Sequence, residues 1–156
     1  MRQSSRAESG AGGDLGELFL CLVDVKRSLW AGADVRLRAE RGISLRAVRA
    51  MAMVAERDGR CDESMVASDV SLSPEEAHRL VDGLVVSRRL TRGHRCADSG
   101  PDALSLTLPG RVELAGAQRA LEDELAKRLG APLAADELAR LEDAVAAMLA
   151  GVRAAA

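Results

Sequence analysis

The stretch that decides the fold is residues 72–90, LSPEEAHRLVDGLVVSRRL, with the residues that follow it, 91–108. Ser73 is a favoured N-cap residue, Pro74 suits the first helical turn, and Glu76 lies three residues after the cap. Together they spell S-x-x-E, a capping box, so the sequence predicts that a helix begins here. Apolar residues then recur at helical spacing, at Ala77, Leu80, Val81, Leu84 and Val85.

After this helix the pattern changes from helical to extended. Leu90–Arg92 is a short strand candidate, residues 93–102 are rich in Gly, Pro and Asp, and residues 104–108 alternate Leu with Ser and Thr as a returning strand. A capped helix followed by a two-stranded ribbon is typical of a winged helix-turn-helix, a DNA-binding arrangement.

Two helices are predicted before the turn at residues 71–73. Ser44 can cap the first, and Asp58-Gly59 can end it. Its buried stripe is predicted to be Leu45, Val48, Met51, Ala52 and Ala55. Asp62 can cap the second, a short helix through Val70 with Met65 and Val66 turned inward. The winged helix-turn-helix is therefore expected over about residues 44–109.

Apolar seams flank this unit. Asp14 can cap a helix that ends near Gly32, over about residues 14–32, and a charged connection or continuation, residues 36–41, is closed by Gly42. Its seam is Leu15, Leu18, Leu22, Val25 and Leu29. After the ribbon, two further helices are predicted over about residues 110–153. Pro109 starts the first, a long helix whose apolar side carries Val112, Leu114, Leu121, Leu125 and Leu129. A break at residues 130–132 precedes a last helix from about Ala134, with Leu138, Leu141, Val145, Met148 and Val152.

These seams can pack against each other within one chain, or they can pack against the seams of a second chain. We expect a two-fold dimer with N- and C-terminal dimerisation helices, because a single winged helix reads few base pairs. The composition, 47% apolar but 1% aromatic, favours a mostly α fold with a small β-ribbon. Residues 1–13 are expected to be a disordered arm, and residues 14–156 a single domain. No apolar run reaches membrane-span length and no signal core is found, so a cytoplasmic chain with reduced cysteines is expected.

Charge alternates along the chain although the net charge is only −2. Residues 36–60 contain seven arginines and three acidic residues, a net charge of +4, and residues 79–95 contain five arginines and one aspartate, again +4. Between them, residues 61–78 contain five acidic residues and no Lys or Arg. Local fields of this kind act on a phosphate backbone, so the charge pattern is a mixed signal for DNA binding.

Residues 42–111 resemble the multiple-antibiotic-resistance-regulator (MarR) family. GISLRAVRAMAMVAE is similar to the family's "G-L-[ST]-x-x-Q-x-x-x-L-x-x-L", with Ala47 in place of Gln. MVASDVSLSPEEAHRLVDGLVVSRRLTR resembles its recognition core, with Arg79, Leu80, Val81, Asp82, Leu84, Leu90 and Arg92 in register. SLTLPGR resembles its "[LV]-x-L-T-x-x-G-R" junction. The resemblance implies a homodimer that binds a pseudo-palindromic double-stranded DNA operator, and a small-molecule effector.

The wing departs from the family pattern. Members usually carry D-x-R there, with the Arg in the minor groove, whereas here Arg95 precedes Asp98 and no Arg follows. Glu75 and Glu76 at the start of the recognition helix would repel phosphates. Glu76 has a structural role in the capping box, and Glu75 can interact with the helix dipole or accept from a cytosine amino group. The predicted DNA-binding residues are Ser73, Glu75, His78, Arg79, Arg88, Arg89, Arg92, His94 and Arg95.

Other chemistry is weaker in the sequence. Cys21 lies where hydroperoxide-sensing members of the family carry a reactive cysteine, but this chain has no Tyr, so we expect a packed core cysteine.

Arg27 and Trp30 can line an effector cleft, or Trp30 can simply pack in the core. The two histidines and three cysteines show no metal-ligand spacing, and no nucleophile or phosphate-loop motif is present, so no metal, cofactor or enzymatic activity is expected.

The sequence therefore predicts a homodimeric transcriptional regulator, a ligand-released repressor of neighbouring genes. One alternative is a degenerate winged-helix protein that acts through protein–protein contacts, which the acidic residues 61–78 and the altered wing favour. Another is a repressor that senses redox changes through Cys21.

Overall fold

The computed structural model describes residues 14–57, 60–93, 103–130 and 133–154. Within these ranges the chain forms six helices and a two-stranded ribbon. In chain order they are α1 (Leu15–Arg41), α2 (Leu45–Arg57), α3 (Glu63–Val70), α4 (Pro74–Val86), β1 (Leu90–Arg92), β2 (Leu104–Leu106), α5 (Leu108–Leu129) and α6 (Ala135–Ala154). The predicted mostly helical winged helix-turn-helix is confirmed. The predicted arm, the Asp58-Gly59 turn and most of the wing loop lie outside the described residues.

Helix α2 forms the centre of the core, with α1, α3, α5 and β2 packed around it. It is therefore buried on more than the single stripe predicted from the sequence. Ala50, Met51 and Val54 are fully enclosed, whereas Ala52 and Ala55, which were expected inward, are only half-buried. A helix surrounded by neighbours loses the one-sided pattern on which a sequence prediction rests.

The helix-turn-helix is defined by its caps. The Asp62 side chain accepts from the Met65 N–H at 2.9 Å at the start of α3, and Ser71 ends α3 in a left-handed conformation with φ 54°. Both halves of the predicted capping box are present at α4: the Glu76 N–H donates to Ser73 Oγ and the Ser73 N–H donates to Glu76 Oε2. Met65, however, is 37% exposed, because the face of α3 that packs on the core carries its neighbour Val66 and, one turn later, Val70.

The ribbon is antiparallel, with Leu90 opposite Leu106 and Arg92 opposite Leu104. The Leu104 N–H also donates to the Cys61 carbonyl at 2.7 Å, which joins the start of α3 to the ribbon. Strand β2 ends at Leu106, earlier than predicted, because the Thr107 side chain accepts from the Gly110 N–H at 2.9 Å and begins α5.

Helix α1 does not end near Gly32 as predicted but continues to Arg41. Gly32 lies inside the helix. The Arg128 guanidinium of α5 lies close to its Cα, since a Cβ at Gly32 would meet that group at 2.4 Å. The helix ends at Gly42, whose φ of 64° and N–H bond to the Arg38 carbonyl make a left-handed C-cap. Asp34 then accepts the Leu45 N–H at 2.7 Å and links α1 to the start of α2.

The apolar seams of α6 and of the first half of α1 are exposed to solvent in this chain. No residue of α6, which the structure describes throughout, is buried, and the first half of α1 is exposed. In α5, Leu114 is buried but Val112 is exposed, because residues two positions apart on a helix face different directions. None of the helices described here has the length and apolar character needed to cross a bilayer.

Candidate nucleic-acid interface

Helix α4 is held by one face and presents the other to solvent. Its buried residues are Ala77, Val81 and Leu84. The opposite face carries exposed side chains from the predicted DNA-binding set, Ser73, Glu75, His78 and Arg79. A capped helix with a free polar face and a free N-terminal turn has the geometry needed to enter a major groove.

Four polar side chains from three elements form what we call the α3–α4–β1 cluster: Glu63, His78, Asp82 and Arg92. The imidazole of His78 lies between two carboxylates, with Nδ1 3.0 Å from Glu63 Oε2 and Nε2 3.2 Å from Asp82 Oδ2. The guanidinium of Arg92 bonds to Asp82 at 2.7 Å and also to Glu63. Two predicted DNA-binding residues, His78 and Arg92, are therefore each paired with carboxylates of the same chain at its surface.

Two members of the cluster, Glu63 and Arg92, have pKa values shifted toward their charged forms. Partial burial opposes ionisation of Glu63, but hydrogen bonds from His78 and Arg92 outweigh it and lower the pKa of Glu63. Hydrogen bonds to Glu63 and Asp82 raise the pKa of Arg92. Glu63, His78 and Asp82 are also ligand types for a metal, with donor atoms within 4.8 Å of one another, but the Arg92 guanidinium already bonds to both carboxylates.

Sequence reasoning missed the role of Glu63. It counted this residue only as one of the acids of residues 61–78. Its partners lie 15 and 29 residues further along the chain, so no local pattern could have revealed the contacts.

The arginines near α4 differ in their surroundings. Arg79 is exposed and forms no ion pair with any carboxylate that the structure describes. Hydrogen bonding to Ser73 is the main cause that lowers the pKa of Glu76, and the positive charges of Arg46 and Arg79 add to it. Arg46, on α2, therefore lies on the same side as the start of α4, although it was not among the predicted DNA-binding residues.

Arg88 and Arg89 form the turn between α4 and β1. Arg88 is exposed and has a φ of 57°, and its carbonyl accepts from the Thr107 hydroxyl at 2.6 Å. Arg89 is half-buried, with its guanidinium 3.4 Å from Ser87 Oγ and its carbonyl accepting the Thr107 N–H. His94 and Arg95, predicted for the wing, lie outside the described residues.

The predicted effector residues Arg27 and Trp30 lie three positions apart on α1. Arg27 pairs with Asp24 on the surface of α1 at 2.8 Å, and Trp30 is half-buried against the core. A groove of about 520 Å³ between α1 and α5 lies nearby, where Glu124 bonds to Arg36 at 3.3 Å and to Arg128 at 2.6 Å. Arg27 and Trp30 lie outside that groove.

The expectation that Cys21 packs in the core is wrong for the single protomer. Cys21 is exposed, because the first half of α1 extends past the elements that cover its second half. Cys61 is the buried cysteine. Burial raises the pKa of the Cys61 thiol to about 11.

These elements define a class: the chain is a winged helix-turn-helix protein with long helices at both ends. Its fold is that of MarR family proteins, as the resemblance implied. One similar structure is a MarR family transcriptional regulator from Rhodococcus sp. RHA1, with a TM-score of 0.74, 14% identity, and coverage of 88% of this chain and 96% of that one. Neither the family models nor the curated proteins gave a match to this sequence.

Two other similar structures were solved with a bound molecule. The Mycobacterium tuberculosis MarR family protein Rv2887, in complex with DNA, has a TM-score of 0.72 and 19% identity, with 88% of this chain and 98% of that one covered. CouR from Rhodococcus jostii RHA1, bound to p-coumaroyl-CoA, has a TM-score of 0.69 and 19% identity, with 92% of this chain and 95% of that one covered. At these identities the likeness concerns the fold.

Proposed function

We propose that the chain is a homodimeric DNA-binding transcriptional regulator that acts as a repressor, not an enzyme. The observation that carries the proposal is helix α4: it is fixed at its start by a complete capping box and presents an exposed polar face beside a ribbon. The complex of Rv2887, a protein with the same fold, with DNA supports a DNA-binding function.

The exposed seams support dimerisation. Leu18 on α1 is 50% exposed, and Leu141 and Met148 on α6 are 42% and 47% exposed. Exposed apolar side chains repeated at helical spacing on the first half of α1 and on α6 are of the kind that mediates association. In a two-fold dimer, the two α4 helices face the same side of a duplex. Each helix can then bind one half-site of a pseudo-palindromic operator.

The residues divide into two roles in this proposal. Arg79 and Glu75 on the exposed face of α4 read base edges, whereas Arg46, Arg88 and Arg89 contact phosphates and set affinity. CouR is bound to a small molecule, which supports an effector that changes the spacing of the two winged units and releases the operator.

Fluorescence anisotropy with a labelled duplex from the DNA upstream of the gene tests the proposal. Arg79→Ala is expected to weaken binding at least about fivefold, since a bidentate base contact contributes about 1–3 kcal/mol. Arg140→Ala removes an exposed, ion-paired arginine on α6 and is expected to leave affinity unchanged. Equal binding of the upstream duplex and a scrambled duplex would contradict the proposal.

Sedimentation tests the dimer. Leu141→Glu together with Met148→Glu is expected to produce monomers, because charge replaces apolar contacts on the α6 seam. Val86→Glu is the matched control: Val86 is 83% exposed but lies at the end of α4, outside the seams. A wild-type monomer at micromolar concentration would overturn this part of the proposal.

A second candidate function is favoured by the α3–α4–β1 cluster. With His78 and Arg92 paired to carboxylates, the winged unit can act through protein contacts without an operator. The test compares expression of the neighbouring genes in a deletion strain and in a strain that carries Arg79→Ala. A regulator that reads DNA predicts the same change in both strains. A protein that acts through protein contacts predicts a change only in the deletion strain.

A further inference from the structure

Among the residues that the structure describes, Glu63 is the one outside α4 and the ribbon that contacts both basic side chains of the α3–α4–β1 cluster, His78 and Arg92. It is the first residue of α3, and its carboxylate bonds to His78 and to Arg92. We propose that Glu63 competes with the DNA backbone for His78 and Arg92, and so sets the affinity of the winged unit for DNA. The inference rests on the proposed function and names a residue that limits it.

The exposure of the side chains supports competition. His78 is 58% exposed and Arg92 35%, whereas Glu63 is 29% exposed and belongs to the first turn of α3. The two cations can therefore turn toward a phosphate that approaches α4, and Glu63 stays in place. A contact from either side chain to a phosphate therefore competes with its contact to Glu63.

The charge of the cluster points the same way. Glu63 and Asp82 place two carboxylates beside the helix that would enter the groove. Removal of the Glu63 charge makes the cluster more positive by one unit. A phosphate backbone is then repelled less, and the difference is screened by salt.

Asp82 has a different role, although it touches the same two residues. It lies on α4 itself, one turn after His78, and bonds to Arg92 of β1 at 2.7 Å. This contact joins the recognition helix to the ribbon. If Glu63 is replaced, Asp82 still holds both partners, so the geometry of α4 and β1 is kept while one competing charge is lost.

The test compares wild type, Glu63→Gln and Asp24→Asn by anisotropy on two duplexes, the upstream DNA and a scrambled duplex. Asp24→Asn is the matched control: it removes the same charge and one arginine contact, on exposed α1. Glu63→Gln is expected to bind both duplexes about three- to tenfold more tightly at about 50 mM salt, and the salt dependence of log K is expected to steepen by about one for each protomer. Asp24→Asn is expected to change affinity less than twofold.

A coupled variant checks the source of the gain. With Arg92→Gln in place, Glu63→Gln is expected to add less than half of its effect, because one of the two released cations is gone. Thermal unfolding of each variant confirms that the fold is kept, and if Glu63→Gln unfolds, Glu63→Ser replaces it in every arm.

The outcomes separate the two proposals. If wild type shows no sequence preference, the operator function fails, while a tighter Glu63→Gln on the scrambled duplex still supports competition. An equal gain in Asp24→Asn, an unchanged affinity, weaker binding by Glu63→Gln, or no binding of either duplex by any variant would overturn the role of Glu63.

Discussion

Gly110→Ala is the sharpest test of how the ribbon joins α5. Gly110 is buried in the first turn of α5, and a Cβ there would lie 2.0 Å from the Arg89 carbonyl oxygen and 3.1 Å from Leu106 Cδ2. The first neighbour is backbone of the α4–β1 turn, which Thr107 also holds through two hydrogen bonds. No side-chain rotation can relieve the contact, so the turn or the helix must move.

The magnitude follows from two opposing effects. Overpacking of this kind costs about 1–3 kcal/mol and occasionally more, and a backbone neighbour places this site at or above the upper end. Alanine returns about 0.5–1 kcal/mol of helix propensity. We expect the free energy of unfolding to fall by about 2–3 kcal/mol, which lowers Tm by about 5–10 °C for a chain of this size.

Urea and thermal unfolding measure the change, and Gly83→Ala is the matched control. Gly83 is in α4, and a Cβ there meets nothing within 4 Å, so the same substitution is expected to stabilise the protein by about 0.5–1 kcal/mol. If both variants are stabilised alike, the packing of α5 against the turn is looser than these contacts require, and the reasoning is refuted.

Three further predictions concern other contacts. Asp34→Ala is expected to lower the free energy of unfolding by about 1–2 kcal/mol, because the Leu45 N–H loses its cap, while Asp24→Ala, which loses only an exposed ion pair, changes it by less than about 0.5 kcal/mol in urea titrations. In native protein at pH 8, Cys61 is expected to resist alkylation while Cys21 reacts, as peptide mapping can show, because the pKa of Cys61 is about 11; modification of Cys61 before unfolding would contradict this. Hydrogen bonds from Ser64 and the Met65 N–H lower the pKa of Asp62 below its ordinary 3.8, so its contribution to stability is present above that value and is lost as the pH falls through the lower, folded pKa. Urea unfolding between about pH 2 and pH 7 should therefore show a smaller acid loss for Asp62→Asn, and an unchanged loss would count against this role of the cap.

The helix caps were determined by local sequence. The capping box of Ser73 and Glu76 and the Asp62 cap depend on residues three positions apart. The strands of the ribbon pair across 12 to 16 positions, but their alternating apolar pattern can be read locally. The order of these local signals was sufficient to predict the winged helix-turn-helix.

Tertiary structure alone decided the length of α1 and the state of the candidate site. Gly32 predicts a helix end when α1 is considered alone, but the helix continues past it because Ala33 and Leu37 are buried where α1 packs against α5. Glu63 meets Arg92 only after three elements have packed. Long-range contacts of this kind depend on where the whole chain goes, so a local pattern predicts which residues are cationic but not which of them already have a partner.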